Sequence, residues 1–278
     1  MQRCVLAAGI VGVALALAGC GGSSDRLQAA VAVAKSSLSQ TFEARLTLTG
    51  VHAFGVTPAP LQGKGAFLSN GIVYERVDLP GPLDKNKTPP RDYLVVLPAK
   101  VYLEPQGALP EGRAWLSVPL VSASNVDKKL ARFVEQVQAL NPRFLLDEVV
   151  WGAVAASSRG SSVVGHVPLA KYDVKVDLRR ALAAASGPSA RAERVAIKEE
   201  LASLGSRSFA SVTVWADAYG QVRQLQAVVP GTRLGTILME LYNYGATFRS
   251  SLPLANTVLP FDLLGPAVGW TDRSPWIV

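Results

Sequence analysis

The chain has 278 residues, 49% of them hydrophobic and 18% charged, with 28 Lys plus Arg against 21 Asp plus Glu, a formal +7. So apolar a chain can bury a large core, which excludes bulk disorder, and its charge is too sparse for a long coiled coil or a nucleic-acid-coating protein. Two cysteines cannot supply a disulfide scaffold or a four-thiolate zinc site.

Met1 to Cys20 reads as a targeting segment. Arg3 is basic, and Val5 to Ala18 is uncharged and apolar, shorter than the ~20 residues a spanning helix needs. Leu17-Ala18-Gly19-Cys20 then resembles a bacterial lipobox: an apolar residue, two small ones that let a peptidase reach the backbone, and a thiol that takes the lipid. Residues 1–19 are therefore expected to be a signal peptide. Cys20 is the expected lipidation site, and 20–26 a flexible tether. The mature chain would keep 259 residues, lose Arg3 and Cys4, and carry +6. Two or more acyl chains, at ~0.8 kcal/mol per buried CH₂, anchor stably. The expected location is the extracytoplasmic face of the cell membrane.

Leu27 to Leu38 is Ala-rich, without Pro or Gly, and predicts a short helix. Phe42 to Gly50 alternates apolar and polar residues with period two, the pattern of a half-buried strand. Gly65–Ser69 and Ile72–Asp78 predict a hairpin turning at Asn70-Gly71. Leu79 to Arg91 is Pro-rich and predicts a long surface loop. Strands follow at Tyr93–Leu97, Val101–Glu104 and Arg113–Val118. Asp127 to Leu140 places Leu130, Phe133, Val134 and Val137 on one helical stripe. Asn141-Pro142 reads as an N-cap with Pro at the first helical position, opening a second helix.

Ser162–Val167 and the strand through Ala170, Tyr172, Val174, Val176 and Leu178 come next, then a helix at Ala192–Leu204. Phe209–Asp217 and Val222–Val229 predict a hairpin around Gly220. Leu234–Tyr244 and Ala246–Leu252 predict another around Gly245. Short connections favour antiparallel pairing. The fold class predicted is α+β, one large curved antiparallel sheet with helices on one face, in a single domain over 27–252 with a C-terminal tail over 253–278.

Residues that carry chemistry are sparse. His52 and His166 stand apart from each other and from any Cys, so no metal site is expected. No G-x-S-x-G turn is present, and an antiparallel sheet is the wrong setting for one. Asp173 and Asp177 alternate with Lys171 and Lys175, which reads as a solvated strand face with cross-strand ion pairs, and Asp217 ends a strand beside a turn. No enzyme, cofactor or nucleic-acid partner is expected. Trp270 and Trp276 sit in the tail, either packed on the domain or resting at a membrane interface.

Several stretches together resemble one family: Trp115-Leu116-Ser117-Val118, the helix ending in Asn141-Pro142, Val164-Gly165 before Tyr172-Asp173-Val174-Lys175-Val176-Asp177-Leu178, and Val214-Trp215-Ala216-Asp217 with Gly220 and Val222-Arg223. The progression is similar to actinobacterial lipoproteins of the LppX/LprG group, within the LolA-like class. The resemblance implies a half-barrel: an incomplete antiparallel barrel with helices on its concave side and an apolar cavity between them for acyl chains. It implies a lipid or glycolipid ligand, carried or presented across the envelope. Residues implied to line the cavity are Leu46, Leu48, Val95, Leu97 and Trp115, then helical Phe133 and Val137, then Tyr172, Val174, Val176, Val212 and Val214. The alternative is a filled core, since interiors pack near crystal density. The protein would then be an envelope scaffold docking a transporter, an enzyme or a cell-wall polymer.

Overall fold

The computed structural model describes residues 22–49, 61–78, 91–104, 109–119, 141–164, 166–187, 190–228, 236–248 and 252–261. Its strands are β1 (Phe42–Thr49), β2 (Leu61–Phe67), β3 (Val73–Asp78), β4 (Arg91–Leu97), β5 (Lys100–Glu104), β6 (Trp115–Pro119), β7 (Ala153–Val164), β8 (Val167–Asp177), β9 (Phe209–Ala216), β10 (Val222–Val228), β11 (Thr236–Tyr242) and β12 (Val258–Pro260). They form one 12-stranded sheet in the order β12-β6-β5-β4-β3-β2-β1-β11-β10-β9-β8-β7. Every pairing is antiparallel except β12 with β6. β12 and β7 are edges, so the sheet is open rather than closed into a barrel. This is the α+β architecture expected from the alternating strands and short turns.

Period-two alternation and register together align the apolar side chains in rows. Phe42 lies opposite Phe67, which continues through Val73, Val96 and Val101 to Val118. On the other side of β1, Leu46 lies opposite Met239, then Leu225, Val214 and Tyr172. These residues all belong to one contiguous core. At the β2–β3 turn Gly71 takes φ +84° and Asn70 Oδ1 accepts from the Ile72 amide at 3.1 Å, the local chemistry that the Asn-Gly pair predicts.

Four described helices accompany the sheet: α1 (Ser23–Leu38), α2 (Pro142–Gly152), α3 (Leu178–Ala184) and α4 (Ala190–Leu204). The Asn141 side chain caps α2 through the Arg143 amide, with Pro142 at the first turn. Asp177 caps α3, accepting from the amides of Arg179 and Arg180. α1 packs on β7 and α2; α2 packs on α1, α3 and β8. Almost every residue of α2 is buried, so it is the centre of the helical layer. Among the described residues no helix is long and apolar enough to cross a membrane.

Four elements differ from expectation. α1 begins at Ser23 rather than Leu27, because Asp25 at the third helical position accepts from the Gly22 amide at 3.1 Å and starts the helix early. β7 runs from Ala153 to Val164, absorbing a Ser-rich stretch with no alternation. Leu178 opens α3 instead of ending a strand. In Ala246–Leu252 the described residues, 246–248 and 252, are not strand: Asn243 and Gly245 adopt positive φ and turn the chain out of the sheet. It returns as β12, so the domain extends past 252 into the predicted tail. The lipobox, the tail after Phe261, the helix at Asp127–Leu140 and all of the Pro-rich loop but Arg91 lie outside the described residues.

Candidate functional site

The helix-covered face of the sheet is the first candidate surface. Leu46, Val174, Val176, Val212 and Val214 are almost fully buried there, with Tyr172 at the margin of the core. Val174 pairs with Val212 and Tyr172 with Val214 across β8 and β9, which brings four of the predicted lining residues side by side. Leu48 occupies the same row as Ile237 by register. Phe133 and Val137 lie outside the described residues.

Val95, Leu97 and Trp115 do not join this group. Register carries the inner face from Ala44 through Gly65, Glu75 and Leu94 to Leu103 and Leu116. The odd-numbered positions of β4 and β6 therefore face the other way. Val95 is buried on that outer face, in a row with Ala66, Tyr74 and Tyr102. Phe248 stacks on Tyr74 there at 5.8 Å between ring centroids. Trp115 is half-buried beside Val258, and Leu97 sits at the β4–β5 turn.

A second feature was not foreseen. At the end of the sheet where the β2–β3 and β4–β5 turns lie, a small cleft of about 20 Å³ is lined by Gly71, Val96, Leu97, Pro98, Asn141, Arg143, Asp147 and Glu193. Arg143 is its anchor. Its guanidinium donates to the carbonyls of Leu38 at 2.5 Å and Gln40 at 3.2 Å, and to Ser69 at 3.5 Å, and lies over the Phe42 ring. A cation thus satisfies the exposed carbonyls at the C-terminus of α1. It also ties α2 to the β2–β3 turn.

The acids beside it are strongly perturbed. Burial first, then the charge of Glu193, pushes the Asp147 carboxyl up to about 7 against the opposing pull of Arg143. Burial also holds the Arg143 guanidinium below its ordinary value. Deeper in, Glu148 and Glu200 share a hydrogen bond, and desolvation raises both carboxyls. The sequence does hold a signal for this cluster. Glu193 and Glu200 fall on the same α4 stripe as Ile197 and Leu204, and Arg143, Asp147 and Glu148 interrupt an otherwise apolar helix. A charge on an apolar stripe marks either a partner or a site.

The remaining carboxylates have structural tasks. Asp173 pairs with Arg159 at 2.5 Å and accepts from Thr213 at 2.9 Å on the polar side of the sheet. Lys171 and Lys175 there lie over the rings of Trp215 and Phe209. Asp217 is buried, accepts from the amides of Tyr219 and Gln221 and pairs with Arg223 at 2.6 Å, which builds the β9–β10 turn. His166 is an exposed turn residue with φ +69°. Among the described residues no His, Cys, Asp and Glu group is arranged to hold a metal ion.

No protein-family model matches the chain, and no curated protein matches its sequence. Solved structures do resemble it. LprF from Mycobacterium bovis is 12% identical, with 84% of this chain and 100% of that one covered, at a TM-score of 0.47. The lipoprotein LppX from Mycobacterium tuberculosis is 12% identical over 82% of this chain and 99% of its own, at 0.45. A putative outer membrane lipoprotein-sorting protein domain from Vibrio parahaemolyticus is 8% identical over 85% and 97%, at 0.30.

Proposed function

We propose that this protein is an envelope lipoprotein, anchored through Cys20, that holds a lipid or glycolipid between its helical layer and the inner face of its sheet and carries or presents it across the envelope. The observation that carries the reading is the broad apolar inner face, on which one row runs from Phe42 on β1 to Val118 on β6 and another from Leu46 on β1 to Tyr172 on β8. A surface of that width in an open sheet must be covered, and acyl chains are chemically suited to cover it. The helices α1, α2 and α3 pack chiefly over the β7–β10 half. Binding would be by burial alone, without covalent chemistry. Native mass spectrometry of the mature protein purified from its own host is the test. Co-purifying lipid is expected, and protein that is always unliganded overturns the reading. For the anchor, Cys20→Ala is expected to shift the protein from the membrane fraction to the soluble one, or to leave it unprocessed. Unchanged fractionation would contradict it.

A second reading has its own observation. On the β8–β11 half, Val174, Val212, Leu225 and Ile237 belong to one buried core with residues of α1 and α2. A core filled in this way throughout makes the protein a scaffold that docks a transporter, an enzyme or a wall polymer. Crosslinking in the intact envelope separates the two, because the scaffold yields a stable partner and no lipid.

A further inference from the structure

Half of the mature chain's net charge sits on one excursion from the sheet. From Leu178 to Ser208 the chain leaves β8, forms α3 and α4 and returns to β9, closed where the Leu178 amide donates to the Ser208 carbonyl at 2.9 Å. This stretch carries six cations, Arg179, Arg180, Arg191, Arg194, Lys198 and Arg207, against Glu193, Glu199 and Glu200, a +3 share of the mature +6. Folding sorts them by sign. All six cations are exposed, whereas Glu193 and Glu200 are buried, which leaves Glu199 alone among the acids of this stretch at the surface. Arg194 donates to the Ala185 carbonyl at 2.6 Å and ties the two helices together. Among the described residues no carboxylate pairs with the other five cations. Arg179, Arg180 and Arg191 stand in the first turns of α3 and α4, where a cation opposes the helix dipole, so helix stability does not account for them. Beside them Phe209 opens β9, 43% exposed, with Lys175 over its ring.

The course of α1 indicates what this surface faces. The last turn of α1 meets the first turn of α2, where Arg143 donates to the Leu38 carbonyl, and the Ser37 hydroxyl accepts from the Val222 amide at the start of β10. The two helices pack along each other, so α1 runs antiparallel to α2 and its first turn lies toward the end of α2. There Gly152 abuts Val176, Asp177 and Ala181, the start of α3. β7 sets out from the same place and packs on α1, its buried residues being Ala153 and Ala156. Cys20 is three residues ahead of Ser23, a reach of roughly 10 Å. The tether therefore leaves the domain at the end of the sheet where α3 begins, the length of β9, roughly 25 Å, from the β9–β10 turn. We propose that the α3–α4 surface docks on anionic phospholipid headgroups of the bilayer that holds the Cys20 lipid, with Arg179, Arg180 and Arg207 nearest the membrane and Phe209 at its interfacial layer. This rests on the Cys20 anchor proposed above.

The mature chain carries no sulfhydryl besides the lipid-bearing one, so Ala183→Cys, exposed on α3 one turn from Arg179 and Arg180, can be labelled alone with a fluorophore. The reference is Tyr219→Cys, at a position 86% exposed in the β9–β10 turn. The mature lipidated protein is reconstituted in phosphatidylcholine–phosphatidylglycerol vesicles that contain a lipid with a nitroxide on its headgroup. Several-fold stronger quenching at 183 than at 219 is expected. The difference should shrink when phosphatidylglycerol is left out, when salt is raised, or when Arg179→Gln, Arg180→Gln and Arg207→Gln are combined. If the protein is anchored and the two labels are quenched alike, the docking surface falls and the anchor stands. Stronger quenching at 183 that survives both salt and neutral lipid means that the tether alone sets the orientation, and overturns the recognition of charge. A 183 label shielded from an aqueous quencher yet untouched by the nitroxide means a protein partner, and also overturns it. Protein that does not stay with the vesicles overturns anchor and docking surface together.

Discussion

Arg143 holds the Leu38, Gln40 and Ser69 carbonyls together from a single buried guanidinium. Arg143→Met would keep the length of the side chain and remove every one of these donors. Those carbonyls would lose their charged donor, and leaving buried acceptors unsatisfied costs about 1–3 kcal/mol. Urea unfolding should show that loss as a lower midpoint with little change in slope. Asp147 adds a pH signature. Its carboxyl is raised to about 7 in the folded chain, whereas in the unfolded chain it titrates near its ordinary value of about 3.9. Between these values the folded state holds a proton that the unfolded state has lost, so this group's contribution to stability falls as pH rises from about 4 to 7. Below that window the contribution is fully present; above it the loss is complete. Asp147→Asn should therefore change the melting temperature little at pH 4 and raise it increasingly toward pH 8. A gain that does not grow with pH would contradict the burial of this carboxyl.

At the scale of elements, α2 depends on close approach. A Cβ on Gly152 would stand 2.7 Å from a Val176 methyl, 2.8 Å from the Asp177 carbonyl and 3.0 Å from the Ala181 methyl. Gly152→Ala should destabilise the protein by about 1–3 kcal/mol, the range for overpacking, visible as a lower thermal midpoint. How legible these elements were depended on whether one face was buried. β1, β8 and β9 have a polar side and an apolar side, so their alternation is plain. β4 reads Tyr-Leu-Val-Val-Leu, apolar on both faces, because the outer row of Val95 is also covered. Its parity cannot be read from the residues, and Val95 and Leu97 were placed on the wrong side with it. Trp115 faces outward as well, and the inward position belongs to Leu116, which is fully buried. β7 beyond Ala156 is exposed on both faces, so it has no hydrophobic period, and only its pairing with β8 makes it a strand. The polar cleft joins two turns to α2 and α4, residues far apart in sequence; the charges on the apolar stripes of the two helices mark it, but no local pattern brings those elements together.

For the whole molecule, the C-terminal strand guards an edge. β12 covers β6 in parallel, with Leu259 beside Leu116, the Ala114 amide donating to Thr257 at 3.0 Å and the Arg113 side chain donating to the Asn256 carbonyl. Ending the chain after Ser251 would expose β6 as an unpaired edge next to a core leucine. Such edges recruit other strands. The truncated protein should melt lower and show concentration-dependent association by light scattering; a monodisperse sample with an unchanged melt would mean that β12 is dispensable. The sheet also has a seam. β1 pairs with β11, and the Thr49 hydroxyl reaches the Thr236 carbonyl across a sequence separation of 187 residues. On one side of that seam β1 to β6 are joined by successive neighbours, and on the other β7 to β10 are. Each half can assemble from nearby pairs, but β11 must arrive before they become one sheet. At a synthesis rate of ~5–20 residues per second, β1 waits roughly ten to forty seconds for its partner. For that interval a strand that is central in the finished protein is an edge, and the nascent chain is most open to wrong pairing at the place where the native one is best protected.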